Sequence, residues 1–178
     1  FIDYLDNSIK SPYDVEKRFG LPVFGRIPYV PANKTEFIRT RDLIHTNPTG
    51  LITLESTKSI TAESFRSLRT NLQFAVMEKK SKIIHFTSPE ASEGKTTIAA
   101  NLAITLALMG SKTLIIDMDL RKPQMHHMFG ISKEPGITHL LTQKATVAEI
   151  IKPSGIEHLS VIPVGIVPPN PAELLNQQ

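Results

Sequence analysis

The sequence predicts a three-layer α/β fold, in which helices cover both faces of a parallel sheet. Three short apolar runs of strand length, at residues 83–86, 114–116 and 159–164, support this prediction. An apolar segment of helix length, residues 98–109, lies between the first and the second run. Because parallel neighbours need a crossover connection, the order strand, helix, strand favours parallel pairing.

The loop between the first run and the helical segment ends in Gly94, Lys95 and Thr96. Strand, tight loop, Gly-Lys-Thr and helix is the order typical of a phosphate-binding loop. The first N–H groups of such a helix have no intrahelical partner and lie at the positive end of its dipole, so they favour an anion. Lys95 can add a charge at the β- and γ-phosphates, and the Thr96 hydroxyl can bind Mg²⁺. Only the second half of the usual motif is present, because Pro89 stands where the first glycine is expected.

Two carboxylates, Asp117 and Asp119, follow the second apolar run, and Arg121 comes two residues later. A continuous apolar run favours a strand that is buried on both faces of a parallel sheet. In open α/β sheets the ligand lies beyond the carboxyl ends of the strands, so carboxylates there can hold a metal or accept a proton. The alternative is that both residues only cap the following turn, where aspartate is common.

A third motif, Glu63, Arg66 and Arg69, lies on a predicted helix over residues 61–77. Apolar residues recur there every three or four positions and make one buried stripe, and the three charged residues lie off it. From the spacing alone, they form a solvated face with a Glu63–Arg66 pair that stabilises the helix by about 0.3 kcal/mol.

Composition limits the other functions. The 178 residues suffice for one domain with a core, and no apolar stretch approaches the roughly 18 residues of a membrane span. The chain contains no cysteine, which excludes disulfides and thiolate metal sites. The net charge of +3 is mild and is not gathered into a block, so no nucleic-acid partner is expected.

As a set, these motifs resemble those of the bacterial tyrosine kinases of capsule and exopolysaccharide assembly, which are P-loop NTPases. The loop resembles their Walker A motif, and Asp117, Asp119 and Arg121 resemble their Walker A prime motif. The resemblance extends over residues 52–175 and includes the Pro-Pro-Asn-Pro segment at 168–171.

The resemblance implies an ATP-dependent protein-tyrosine autokinase that uses Mg²⁺. It implies that the loop amides hold the phosphates together with Lys95, and the loop residues concerned are Ser92, Glu93, Gly94, Lys95, Thr96 and Thr97. It implies that Thr96 and Asp117 bind the metal. The resemblance implies that either Asp117 or Asp119 accepts the tyrosine proton, with Arg121 positioning one of them. It also implies that Glu63, Arg66 and Arg69 form a subunit contact that builds a ring and allows phosphorylation between subunits.

The resemblance also divides the chain into three parts. Residues 1–28 resemble the cytoplasmic tail of chain-length-determinant proteins, with a helix over residues 12–19 that Ser11 caps and Gly20 ends. Residues 29–59 have the composition of a linker, in which Ile52 and Leu54 favour a short strand, and residues 60–178 begin the kinase domain. The tail implies a location at the inner face of the plasma membrane, anchored by segments outside this chain. The implied partners are a transmembrane chain-length-determinant domain and the machinery of polysaccharide polymerisation and export.

Two features of these kinases are expected beyond residue 178: a Walker B strand and a tyrosine-rich tail. The only tyrosines are Tyr4, Tyr13 and Tyr29, so we expect the chain by itself to be inactive. A partitioning-type ATPase is one alternative, but Glu90 stands where those proteins carry a second loop lysine. The other alternative is a nucleotide-gated scaffold, in which the loop controls ring assembly with little phosphotransfer.

Overall fold

The computed structural model describes residues 9, 11–29, 50–55, 58–76, 82–90 and 92–176. The elements in chain order are α1 (Pro12–Phe19), α2 (Ile52–Glu55), α3 (Ile60–Ala75), α4 (Lys95–Ala107), β1 (Thr113–Ile116), α5 (Met125–Phe129), α6 (Ile137–Leu141), α7 (Val147–Ile150), β2 (Lys152–Pro153), β3 (Leu159–Ile162) and α8 (Pro171–Leu175). The predicted α/β class is confirmed, because helices pack around a sheet.

The sheet of the described residues has three strands in the order β1-β3-β2. β1 and β3 are parallel, with Thr113 opposite Leu159 and Ile116 opposite Ile162, as the sequence predicts. The two-residue strand β2 was not predicted, and it pairs antiparallel with β3. The sheet is therefore mixed, and β1 has one edge without a strand partner among the described residues.

The main core lies between α4 and this sheet. Buried residues of α4, including Ala100 and Ile104, pack with Ile115 of β1 and Val161 of β3. Because α4 is apolar on nearly all sides, it can contact β1 and β3 on one face and α3 on another. The helix is thus fixed with its N-terminus close to the carboxyl end of β1.

β1 is covered less completely than the sequence predicts. Ile115 is 8% exposed, but Leu114 and Ile116 are each 46% exposed. Successive side chains of a strand point to opposite faces, so the face that carries Leu114 and Ile116 is only half covered by the described residues. The prediction of burial on both faces is wrong for this structure.

The predicted strand at residues 83–86 does not form. Ile84 and Phe86 pack against a second core cluster of Phe65, Leu68 and Leu102, whereas Ile83 is 89% exposed. The alternation of a strand is present, but the backbone has no ladder partner in the described part of the chain. Residues 82–88 are therefore an irregular segment that leads into the loop.

The expected short strand at Ile52 and Leu54 is instead the single helical turn α2. Its position is set by tertiary contacts: Leu51 is 1% exposed in the main core, and the Thr53 N–H donates to the Asn101 side chain. β propensity is a weak preference that such contacts override.

The predicted helices α1 and α3 are confirmed. Ser11 and Asp14 form a capping box at the start of α1, and Gly20 ends the helix with a φ of 64°. After α1 the chain packs against α3, where the Asn71 side chain donates to the Phe24 carbonyl at 2.8 Å. Residues 1–8, part of the predicted tail, lie outside the described residues. No helix in the described ranges combines the length and the apolar character that a membrane crossing requires.

Candidate active site

The candidate site is a groove of about 700 Å³ beside β1, called the β1 groove below. Residues 113–121 form one wall, the irregular residues 82–87 form the other, and α4 contributes Lys95 and Thr96 at one end. The structure thus brings the predicted phosphate loop and the two predicted carboxylates to one cavity.

The N-terminus of α4 is suited to an anion. Gly94 caps the helix with a φ of 88°, a left-handed conformation that favours glycine, and it provides no side-chain hydrogen bond. The first turn carries no acidic residue, so no carboxylate of that turn competes for its N–H groups. A helix of thirteen residues without a side-chain cap at its N-terminus attracts phosphate through these groups and its dipole. The residues present therefore fit a nucleotide phosphate.

Lys95 forms an ion pair with one of the two carboxylates that line the groove. Its Nζ lies 3.2 Å from Oδ2 of Asp119, and the two side chains are 33% and 27% exposed. Thr96 also lines the groove, and Thr97 is half-buried. Lys95 therefore has a negative partner at the position where a phosphate would approach.

Asp117 is the buried carboxylate, at 5% exposure, directly after β1. Its Oδ1 accepts from the Asp119 N–H and its Oδ2 from the Met125 N–H, both at 3.1 Å. Burial raises the pKa of Asp117 above its ordinary value, and hydrogen bonds from the backbone of Asp119, Met125 and Gln124 offset this only in part. Asp117 thus holds a proton more readily than an ordinary aspartate does.

Asp119 is the accessible carboxylate, and its pKa shifts in the opposite direction. Its Oδ1 accepts from the backbone N–H groups of Lys122 at 2.9 Å and Arg121 at 3.2 Å. The Lys122 N–H is the largest cause that lowers the pKa of Asp119, and Lys95 lowers it further. Asp119 therefore remains charged beside Lys95.

Three other predicted site residues are exposed, and only Arg121 among them lines the groove. Arg121 lines it, but the contact with Asp119 comes from the Arg121 backbone, and the guanidinium makes no hydrogen bond with the described residues. Ser92 has a left-handed φ of 67° in the loop, and the Glu93 carboxylate accepts from the Glu90 N–H at 3.3 Å. Glu93 thus helps to close the loop on itself.

The three charged residues of α3 divide into two environments. Arg66 pairs with Glu63 at 2.7 Å on the surface, which is the pair that the spacing predicts. Arg69 is half-buried, and its Nη1 donates to the Thr105 carbonyl of α4 at 3.4 Å. The buried Nε of Arg69 has no hydrogen-bond partner among the described residues. Arg69 therefore joins α3 to α4.

The sequence reasoning missed Asn101, a buried polar residue within the apolar helix α4. Its amide binds Gly50, Thr53 and Thr97. A single asparagine in an apolar run was the available signal, because a buried amide requires partners. The sequence alone does not say which partners these are.

The chain is similar to known proteins in sequence and in fold. A family model described as an AAA domain matches residues 81–172, more than half of the chain. The tyrosine-protein kinase YwqD of Bacillus subtilis is 41% identical over 129 residues, which are 72% of this chain and 54% of YwqD. The solved BceF tyrosine kinase domain is 32% identical with a TM-score of 0.78, over 97% of this chain and 69% of that one.

The chain belongs to the bacterial tyrosine kinases. This confirms the resemblance to these kinases and the P-loop fold class, whereas the resemblance of residues 1–28 to a chain-length-determinant tail stays a prediction. Membership implies the use of a nucleotide and a metal in general. The tyrosine-protein kinase wzc of Salmonella typhi is 33% identical over 177 residues, 96% of this chain but 24% of wzc. The chain thus spans about half the length of YwqD and about a quarter of wzc.

Proposed function

We propose that this chain is the nucleotide-binding part of an ATP-dependent protein-tyrosine autokinase that controls the polymerisation and export of capsular or exopolysaccharide. The supporting observation is the arrangement of Lys95, Asp119 and Asp117 in the β1 groove beside the free N-terminus of α4. Phosphoryl transfer depends mainly on positioning and charge stabilisation, and these residues provide a cation, two carboxylates and backbone donors.

In this proposal, Mg-ATP supplies the phosphoryl group that is transferred to tyrosine. Backbone N–H groups of residues 92–97 bind the phosphates, and Lys95 leaves Asp119 to neutralise the terminal ones. Thr96 and Asp117 are the proposed metal ligands, with Asp117 acting directly or through water. Thr96 lines the groove, which supports its role as a metal ligand. Asp117 is buried, which favours contact with the metal through a water molecule.

The proton acceptor is one of the two carboxylates. The raised pKa of Asp117 suits a base, but both of its oxygens already accept backbone hydrogen bonds. Asp119 is more accessible, but its lowered pKa makes it a weaker base. Both assignments remain part of the proposal, and the pH dependence of the reaction distinguishes them.

We further propose that the protein acts as a ring-like homo-oligomer at the cytoplasmic face of the plasma membrane. The exposed Glu63–Arg66 pair supports a subunit contact on α3, with Arg69 holding that helix against α4. Residues 1–28 are proposed to be the tail of a transmembrane chain-length-determinant domain, residues 29–59 a linker, and residues 60–178 the start of the kinase domain. The proposed partners are that domain and the polysaccharide machinery.

A nucleotide-gated scaffold is the second candidate function. Arg69 supports it, because this residue connects the charged face of α3 to the helix that carries the phosphate loop. A partitioning-type ATPase has less support, because Glu90 stands in place of the second loop lysine and is exposed.

The test is phosphotyrosine mapping by mass spectrometry on protein from the complete reading frame, incubated with Mg-ATP. We expect phosphotyrosine in the wild type and none in Lys95→Met, which removes the charge but should retain the fold. Circular dichroism and the oligomeric mass control for folding. ATP binding without phosphotyrosine in the wild type would favour the scaffold, and wild-type transfer by Lys95→Met would remove Lys95 from the mechanism.

A further inference from the structure

Asn101 lies in the middle of α4, six residues after Lys95, and its side chain is fully buried. Its Nδ2 donates to the Gly50 carbonyl at 2.8 Å and to the Thr97 carbonyl at 2.9 Å. Its Oδ1 accepts from the Thr53 N–H at 2.9 Å and from the Thr53 hydroxyl at 3.0 Å. Both donors and both lone pairs of the amide are therefore used.

These partners belong to two different parts of the molecule. Thr97 is in the first turn of α4, the turn that we assign to phosphate binding. Gly50 and Thr53 belong to residues 50–55, which precede α3 in the chain. Gly50 also lies beside the Thr97 side chain, since a Cβ added to Gly50 would be 3.9 Å from Cγ2 of Thr97. The amide thus joins residues 50–55 to the phosphate-binding turn.

The segment has its own anchor in the core. Leu51 is 1% exposed in the main cluster, and Thr53 is 4% exposed. If the first turn of α4 shifts, the Thr97 carbonyl shifts with it, and a buried amide cannot follow without leaving a polar group unpaired. The hydrogen bonds of Asn101 therefore oppose displacement of that turn relative to residues 50–55.

We propose that Asn101 is a positioning residue that, through Thr97, holds the first turn of α4 in its phosphate-binding geometry, with residues 50–55 as the external anchor. The inference rests on the proposed function, because it assigns a role at the same nucleotide site. Linkage makes the coupling reciprocal, so nucleotide binding must in turn stabilise residues 50–55. A purely structural asparagine would not produce that second effect.

The test compares two isosteric substitutions in the complete protein. Thr53→Val removes one buried hydroxyl bond to Asn101 and retains the Thr53 N–H bond. Thr105→Val is the matched control: it removes a buried hydroxyl bond within the same helix, to the Leu102 carbonyl, far along the helix from Thr97. Both variants should lower Tm by a similar amount, about 2–4 °C. Asn101→Leu is the stronger variant, which removes all four bonds.

The measurements are the Kd of ADP with Mg²⁺, by calorimetry, and hydrogen exchange of residues 50–55 with and without ADP. We expect Thr53→Val to weaken ADP binding by about 2- to 10-fold, the equivalent of one buried hydrogen bond, and Thr105→Val to leave it unchanged. In the wild type, ADP should slow exchange at residues 50–55, and Thr53→Val should reduce this protection.

The inference would be overturned if both Thr53→Val and Asn101→Leu bound ADP with wild-type affinity. It would also be overturned if ADP did not change hydrogen exchange at residues 50–55. If Asn101→Leu does not fold, Thr53→Val alone decides the result. Absence of ADP binding in the wild type would refute the proposed function and the inference that rests on it. ADP binding that depends on Thr53, in a protein that forms no phosphotyrosine, would support the inference and favour the scaffold.

Discussion

In the proposed mechanism, the ion pair between Lys95 and Asp119 would compete with nucleotide binding. Lys95 would have to turn from Asp119 towards the phosphates, so part of the ion-pair energy would oppose binding. At 3.2 Å, with an effective dielectric constant of about 20, Coulomb's law gives roughly 5 kcal/mol. The side chains are 33% and 27% exposed, and pairs open to solvent typically contribute only about 0.5–1 kcal/mol.

We therefore expect Asp119→Asn to bind ADP about 2- to 5-fold more tightly than the wild type, because each 1.4 kcal/mol corresponds to a tenfold change. The assay is isothermal calorimetry in EDTA, so that any role of Asp119 near the metal does not contribute. The tightening should decrease at high salt, because exposed charges are screened. Phosphotransfer measured with Mg²⁺ should fall in the same variant.

A double-mutant cycle identifies the cause of the tightening. In a Lys95→Met background, Asp119→Asn has no lysine to release, so it should change the Kd by much less. Equal tightening in both backgrounds would mean that general repulsion between Asp119 and phosphate, and not the ion pair, controls affinity. Unchanged or weaker ADP binding by the single variant Asp119→Asn would refute the competition itself.

Three further predictions concern the carboxylates and α3. Burial raises the pKa of Asp117, so its stabilising contribution is complete below the ordinary value of 3.8 and is lost as the pH rises through the folded value. Urea unfolding followed from pH 3.8 upwards should thus show a steeper fall in stability with pH for the wild type than for Asp117→Asn. If Asp117 is the base, the acidic limb of the pH profile of kcat/KM, which reports the free enzyme, should lie above pH 3.8; if Asp119 is the base, it should lie below. Arg66→Ala should reduce the assembly mass in light scattering with little change in Tm. Arg69→Ala should reduce the mass and also lower Tm by about 2–4 °C, because it breaks the contact with Thr105. An unchanged mass for both variants would mean that this face of α3 is only a solvated surface.

Local chemistry explains which elements the sequence predicts well. The limits of α1 follow from Ser11, Asp14 and Gly20, because all three act on backbone groups within a few residues. The start of α4 at the Gly94–Lys95 step is predictable for the same reason. The local sequence is sufficient to predict these helix limits, because the hydrogen bonds that cap a helix join residues only a few positions apart in the chain.

The wrong predictions depend on partners that are distant in sequence. Residues 83–86 have the alternation of a strand, but a strand also needs a neighbouring backbone, and the described residues provide none. Ile52 and Leu54 favour a strand locally, but Asn101, almost fifty residues later, binds the backbone of Thr53 in a helical turn. No window of local sequence contains either piece of information.

The different environments of Asp117 and Asp119 also arise from where β1 ends. In a continuing strand, residues 117 and 119 would point to the same face and would share one environment. β1 ends at Ile116, and the Asp119 N–H turns back to donate to Asp117. In this turn, the Asp117 carboxylate accepts a hydrogen bond from the Met125 N–H, whereas the Asp119 carboxylate pairs with Lys95. Two identical side chains thereby acquire opposite pKa shifts, so a site in which one carboxylate stays charged and the other can take up a proton depends on a single turn.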